Sequence, residues 1–150
     1  FSSVLEKIEQ ARKQDPNNMQ ILLAQAKFYD DYAFTGILDT ELEQLNRTRA
    51  ITAYKEYLQN DPNHQISWIS VGRLFFRDKQ WTEAAEWFKH ALDRGWSNHS
   101  MLMWYFEALY RLRKFKELRR AVAEHGNSIS SEEELPRQYR NAVSVWMGAA

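Results

Sequence analysis

The sequence predicts an all-α fold built from antiparallel helical hairpins. Apolar residues recur at helical spacing almost everywhere, and no segment alternates apolar and polar side chains long enough to read as a strand. Only 5 Gly and 3 Pro in 150 residues leave little room for the frequent turns of a β fold. A tripeptide also recurs: Asp15-Pro16-Asn17 returns 46 residues later as Asp61-Pro62-Asn63, each time where one helix must stop and another begin.

Taken in order, Val4, Leu5, Ile8 and Ala11 mark a first helix over residues 1–14, with Ser3 and Glu6 matching a capping box. Ile21, Leu22, Phe28 and Tyr32, with Gln25 as the polar exception, mark a second from Met19 to about Tyr32. Ala50, Tyr54, Tyr57 and Leu58 end a third just before Pro62. Residues 30–46 between them allow two readings, a loop inserted around Phe34-Thr35-Gly36 or two elongated helices. Thr40-x-x-Glu43 matches a capping box and favours a long third helix starting near Glu41. Helix extensions joined by a short turn near Gly36 are therefore expected.

After Pro62 the chain reads Trp68-x-x-Val71-Gly72-x-x-Phe75, then Trp81, Ala84-x-x-x-Phe88 and Ala91, with Gly95 placed for a left-handed helix cap. Gly72 and Ala84 are small enough for two helices to approach closely, Trp68, Phe75 and Phe88 fill the space around them, and Trp81 anchors the start of the second helix. This pattern resembles the tetratricopeptide repeat, whose period is about 34 residues. Residues 63–97 match best. Residues 17–62 exceed the period by about twelve residues and read as a repeat with an insertion. Residues 98–126 keep Leu102, Tyr105, Ala108, Leu109, Tyr110 and Phe115, but carry Phe106 and Leu118 where the family has small residues, so close packing there is the weak point. Residues 1–14 read as the second helix of a preceding partial repeat. Residues 132–148, opened by Ser131 and Glu134 after Gly126, read as a capping helix.

The resemblance implies a single domain, a solenoid of about three repeats plus a terminal helix, with a concave groove that binds a peptide segment or a helix. Carried over residue by residue, the groove-lining positions are Lys27, Ile69, Arg73, Phe76, Arg77, Met103, Trp104, Tyr110 and Arg111. Apolar side chains among them suit an apolar segment, and Lys27, Arg73, Arg77 and Arg111 suit carboxylates on it. The positions at which one subgroup clamps a C-terminal carboxylate hold Leu23, Lys27, Ser70, Ser100 and Trp104, with one base and no Asn, so that partner is not expected. The function implied is a protein-interaction scaffold or adaptor. The alternatives are a structural or self-assembling module whose last helix fills the groove, or a substrate-docking domain of a larger enzyme.

The residues themselves point to no enzyme. There is no Cys, so neither a disulfide scaffold nor a cysteine nucleophile is available. His64, His90, His99 and His125 form no metal-binding spacing, and no phosphate loop or nucleophile elbow is present. Neither cofactor nor metal is expected. Lys plus Arg and Asp plus Glu are equal at 20 each, which disfavours a generic nucleic-acid or anionic-membrane binder, and no apolar run is long enough to span a bilayer. The chain opens at Phe1 without Met or a leader and reads as a fragment or processed product; its compartment is not legible. The balanced charge is segregated. Asp30, Asp31, Asp39, Glu41 and Glu43 lie in the insertion, whereas Arg111, Arg113, Lys114, Lys116, Arg119 and Arg120 form a basic stretch. Self-association between these two regions is therefore a further possibility for the partner.

Overall fold

The computed structural model describes residues 2–125. The helix expected over 132–148, with its Ser131–Glu134 start and Gly126, lies outside the described residues. Among the latter are seven helices and no strand: α1 (Ser2–Gln14), α2 (Met19–Asp31), α3 (Thr40–Asn60), α4 (Gln65–Arg77), α5 (Trp81–Asp93), α6 (His99–Arg111) and α7 (Phe115–His125). Two compact units divide the chain, Phe1–Leu74 and Phe75–Ala150, with α4 running from the first into the second.

The helices keep register because their caps recur. The Asn18 side chain accepts from the backbone N–H groups of Gln20 and Ile21 at 3.0 and 3.3 Å, closing the start of α2. Forty-six residues on, His64 Nδ1 accepts from the Ser67 N–H at 3.3 Å. Thirty-four residues beyond that, Asn98 accepts from the Met101 N–H at 2.8 Å. Each cap satisfies an otherwise orphaned helix N–H. Both Asp-Pro-Asn segments make the same turn: the Asn18 N–H reaches the Asp15 carbonyl and the His64 N–H reaches the Asp61 carbonyl, each at 3.2 Å.

In the first unit α2 packs against both α1 and α3. The core is made by Leu22, Ala26, Phe28 and Tyr29 from α2, Ala50, Ala53, Tyr54 and Leu58 from α3, and Val71 and Leu74 from α4. α1 buries no residue fully and is tied to α3 by Arg12, whose guanidinium lies 3.1 Å from Glu56.

The insertion resolves differently from the sequence reading. α2 is not extended; it has 13 residues, as α4 has, and ends at Asp31. The extra length goes into the 21-residue α3 and an irregular connection over 32–39. Asp39, not Thr40, caps α3, accepting from the Leu42 N–H at 2.8 Å. Glu43 is thereby left to accept from the Thr35 hydroxyl and the Gly36 N–H, each at 2.7 Å. The Asn46 amide donates to the Tyr32 carbonyl at 3.1 Å, and Arg47 donates to the Ala33 carbonyl at 2.9 Å. Glu43, Asn46 and Arg47 share one face of α3 at i, i+3 and i+4, so the first turns of that helix hold the loop from beneath. The Thr35 hydrogen bond, above all, pulls the Glu43 carboxyl below its ordinary range. Likewise Ser3 lies inside α1 rather than before it.

In the second unit α6 packs against both α5 and α7. Its core comprises Ala84, Phe88 and Ala91 from α5, Met101, Leu102, Tyr105, Phe106 and Leu109 from α6, and Leu118 and Ala121 from α7. Phe106 and Leu118, bulky where the family has small residues, are 0% and 1% exposed, so the last hairpin accommodates them in its core.

Three helices end alike. The residue after the cap, Lys79, Gly95 or Arg113, takes a positive φ of 59, 78 or 56°. Its N–H and that of the next residue return to the preceding turn: Lys79 to Phe76 and Gln80 to Phe75, Gly95 to Leu92 and Trp96 to Ala91, Arg113 to Tyr110 and Lys114 to Leu109. This is the Schellman arrangement, which satisfies the last carbonyls of a helix. The left-handed conformation costs an L-residue roughly 1–2 kcal/mol and glycine much less. A Cβ on Gly95 would meet nothing within 4 Å, so the cost there is purely conformational. Gly95→Ala should therefore lose about 1 kcal/mol in urea denaturation, whereas Lys79→Gly and Arg113→Gly should lose nothing or gain up to about 1 kcal/mol.

Candidate functional site

Each unit gathers its own polar or aromatic cluster around the positions singled out in the sequence. In the first unit, Asp30 on α2 stands between two donors. Arg73 on α4 donates from Nη2 to Asp30 Oδ2, and the Tyr54 hydroxyl on α3 donates to the same oxygen at 2.9 Å. The two charged side chains are only 10% and 23% exposed, and Tyr54 is buried. Burial, reinforced by the neighbouring Asp30 charge and hydrogen bond, pushes the Tyr54 phenol well above its ordinary range. The phenol therefore remains a donor at any ordinary pH. Arg73 is thus committed to a joint between helices, not held out for an external carboxylate. Of the other first-unit positions, Lys27 is exposed and Ile69 is partly buried.

The second unit carries an aromatic shelf. Phe76, at the end of α4, meets the Trp81 ring edge-on with centroids 5.3 Å apart, and meets Trp104 on α6 at 6.1 Å. Trp104 also lies 6.1 Å from the fully buried Phe88. The Arg111 guanidinium sits 5.6 Å from the centroid of Trp81 and makes a 2.8 Å ion pair with Glu107 one turn back on α6. Phe76, Trp81, Met103, Trp104 and Tyr110 are all partly exposed, and Arg77 and Arg111 are exposed. The shelf joins apolar area that is rooted in the core to a cationic group, Arg111, at its margin. Such an arrangement suits an apolar side chain accompanied by carboxylates.

Geometry repeats here as well. Tyr110 meets Phe115 edge-on at 6.0 Å across the turn at Arg113, as Phe76 meets Trp81 across the turn at Lys79. Both members of the pair are displaced by 34 residues. The sequence pattern gives Trp81 only the role of anchoring a helix start. Its place on the shelf follows from this pair, and the matching spacing of Phe76–Trp81 and Tyr110–Phe115 was the signal for it.

A separate hollow of about 200 Å³ in the second unit is lined by Lys89, Asp93, Tyr105, Glu117, Arg120 and Glu124, among others. Burial first, then the charges of Glu117, Asp93 and Glu124, push the Tyr105 phenol up to about 12. The lining mixes both signs of charge. Among the described residues no group of three or more His, Asp or Glu side chains is arranged to hold a metal ion. No described helix is long and apolar enough to cross a membrane.

A family model described as tetratricopeptide repeat matches residues 36–99. No curated protein and no solved structure matches the chain. The matched segment contains the second hairpin, α4 and α5, whole, together with α3 and half of the loop before it.

The Asp30 cluster yields a stability test. Asp30→Ala strands a buried hydroxyl and an ionised guanidinium and should cost about 2–3 kcal/mol. Arg73→Ala should cost less, and the double variant should show coupling above about 0.5 kcal/mol in a urea-denaturation cycle. Lys27→Ala, exposed, should change stability by less than about 0.5 kcal/mol.

Proposed function

We propose, from the match of residues 36–99 to the tetratricopeptide repeat family, whose repeats generally mediate protein–protein contacts, that the second unit binds a peptide segment bearing an apolar anchor flanked by carboxylates. The family is typically a non-catalytic interaction module. The chain acts accordingly, as a scaffold or adaptor. One observation carries the reading: the partly exposed shelf of Phe76, Trp81 and Trp104 with Arg111 at its margin.

The mechanism is differential desolvation. An aliphatic or aromatic anchor laid on Trp104 and Met103 removes apolar area from water on both partners, worth roughly 25 cal/mol per Å² before ordering costs. Arg77 and Arg111 then orient the segment through charge-assisted hydrogen bonds to its carboxylates. Arg111 is pre-positioned by Glu107 and Trp81, so less side-chain entropy is lost on binding. Arg73 does not contribute an orienting charge, because it is engaged by Asp30.

The test is a fluorescence-anisotropy screen of labelled peptides containing Leu, Phe or Trp flanked by Asp and Glu, with basic-flanked peptides as the comparison. Acidic-flanked peptides should bind more tightly. Trp104→Ala should remove about 1–3 kcal/mol of binding, Arg111→Glu should reverse the preference for acidic flanks, and Lys89→Ala in the separate hollow should have no effect. Unchanged affinity in folded Trp104→Ala would set the reading aside.

A further inference from the structure

We propose that two copies of this chain associate head to tail, the loop tip of one docking at the α6–α7 turn of another. The knob is Ile37, a large apolar residue 85% exposed to solvent. A side chain so placed on a floppy loop would carry little meaning, but this loop is built to present it. The Ile37 N–H donates to the Thr35 hydroxyl oxygen at 3.2 Å. That hydroxyl in turn donates to Glu43 on α3, which also accepts from the Gly36 N–H. Gly36 takes a φ of +70° at the apex, where little other than glycine is unstrained. The ordering cost of presenting Ile37 is thus largely met before any partner arrives.

The charge around the knob is mainly acidic, the one cation set against the loop, Arg47, being turned to the Ala33 carbonyl and the Phe34 ring. From Asp30 to Asn46 there are five carboxylates and no Lys, Arg or His. Asp30 is taken up by Arg73 and Tyr54, Asp39 by the α3 cap and Glu43 by the loop. Asp31 and Glu41 are exposed. The receptor must therefore be apolar at its centre and basic at its rim.

The second unit of the same chain offers that surface. Arg113, Lys114, Phe115, Lys116 and Glu117 line a shallow hollow of about 280 Å³ at the turn between α6 and α7. Phe115 provides its apolar floor, together with the methylene stems of the cationic side chains. Arg113, Lys114 and Lys116 are exposed at its rim, and the stretch from Arg111 to Arg120 carries six cations against one carboxylate. Charge complementarity between an acidic knob and a basic hollow selects a second copy over an unrelated partner, since each chain supplies both halves. The contact uses a different patch on each copy, so it is heterologous and continues from copy to copy unless a ring closes.

Sedimentation velocity of the full chain, from low micromolar to near-millimolar at low and high salt, gives the first reading. The weight-average mass should rise with concentration at low salt and fall back at high salt. Ile37→Ser should weaken association roughly tenfold or more, as should Lys114→Glu combined with Lys116→Glu. A mixture of these two variants gives the sharper reading. Each retains only one working half, so they should pair one to one and stop at twice the monomer mass. Circular dichroism verifies that both remain folded. A wild-type chain that stays monomeric at low salt, association that persists in Ile37→Ser, or a mixture that fails to pair would each overturn the proposal. None of these outcomes depends on the aromatic shelf.

Discussion

All three hairpin-forming turns in residues 65–125 obey one backbone constraint, and in two of them one aromatic pair seals it. A residue in the left-handed region, Lys79 or Arg113, reverses the chain, and an edge-to-face pair, Phe76–Trp81 or Tyr110–Phe115, closes over it. The reversal fixes where the next helix begins, which is why α4 to α6 and α5 to α7 repeat at an interval of 34 residues at both ends of α4 and α6 and at the start of α5 and α7. It also fixes which side chains remain at the surface. The aromatic pair cannot be wholly buried beside a tight turn, and its residual exposed area becomes the shelf on which Trp104 and Arg111 converge. Fold and candidate site therefore follow from the same local geometry.

The first unit departs from this rule because its hairpin is interrupted. Asp30 occupies the helix register that Phe76 occupies 46 residues later. An aromatic closing pair is replaced there by an ion pair and a phenol hydrogen bond joining α2, α3 and α4. A buried charged joint is more demanding than an apolar one, since removing any member strands the others. The additional residues form a lengthened α3 and a loop that this helix holds through Glu43, Asn46 and Arg47. Polar bonds do in this unit what stacking does in the other.

Much of the fold was legible because its determinants are local. The Asp-Pro-Asn pair and Gly95 after α5 each act within a few residues, and periodicity supplies the helices between them. The course of 30–46 was less legible. Thr40 and Glu43 satisfy the capping-box pattern, yet Asp39 is the better acceptor and Glu43 is drawn off by Thr35, a competition that spacing alone does not rank. Lys79 and Arg113 carry no residue-type signal for a left-handed conformation; the helix ends impose it. Of the candidate site, the aromatic positions on α4 and α6 were recoverable from the repeat register. The engagement of Arg73 was not, because Asp30 lies 43 residues away and meets it only through tertiary packing.

The two proposed contacts use separate surfaces, an aromatic shelf for an acidic-flanked apolar segment and a knob and hollow for a second copy. The shelf bears the central claim, and the six Trp residues of the chain report on it directly. The decisive measurement is a two-dimensional NMR titration of the tryptophan indole N–H resonances with a Leu-containing, acidic-flanked peptide. Binding at the shelf should shift the Trp81 and Trp104 signals together and saturably while those of Trp68 and Trp96 stay in place. Unmoved Trp81 and Trp104 signals at saturating peptide, or shifts centred on Trp68 or Trp96, would contradict it.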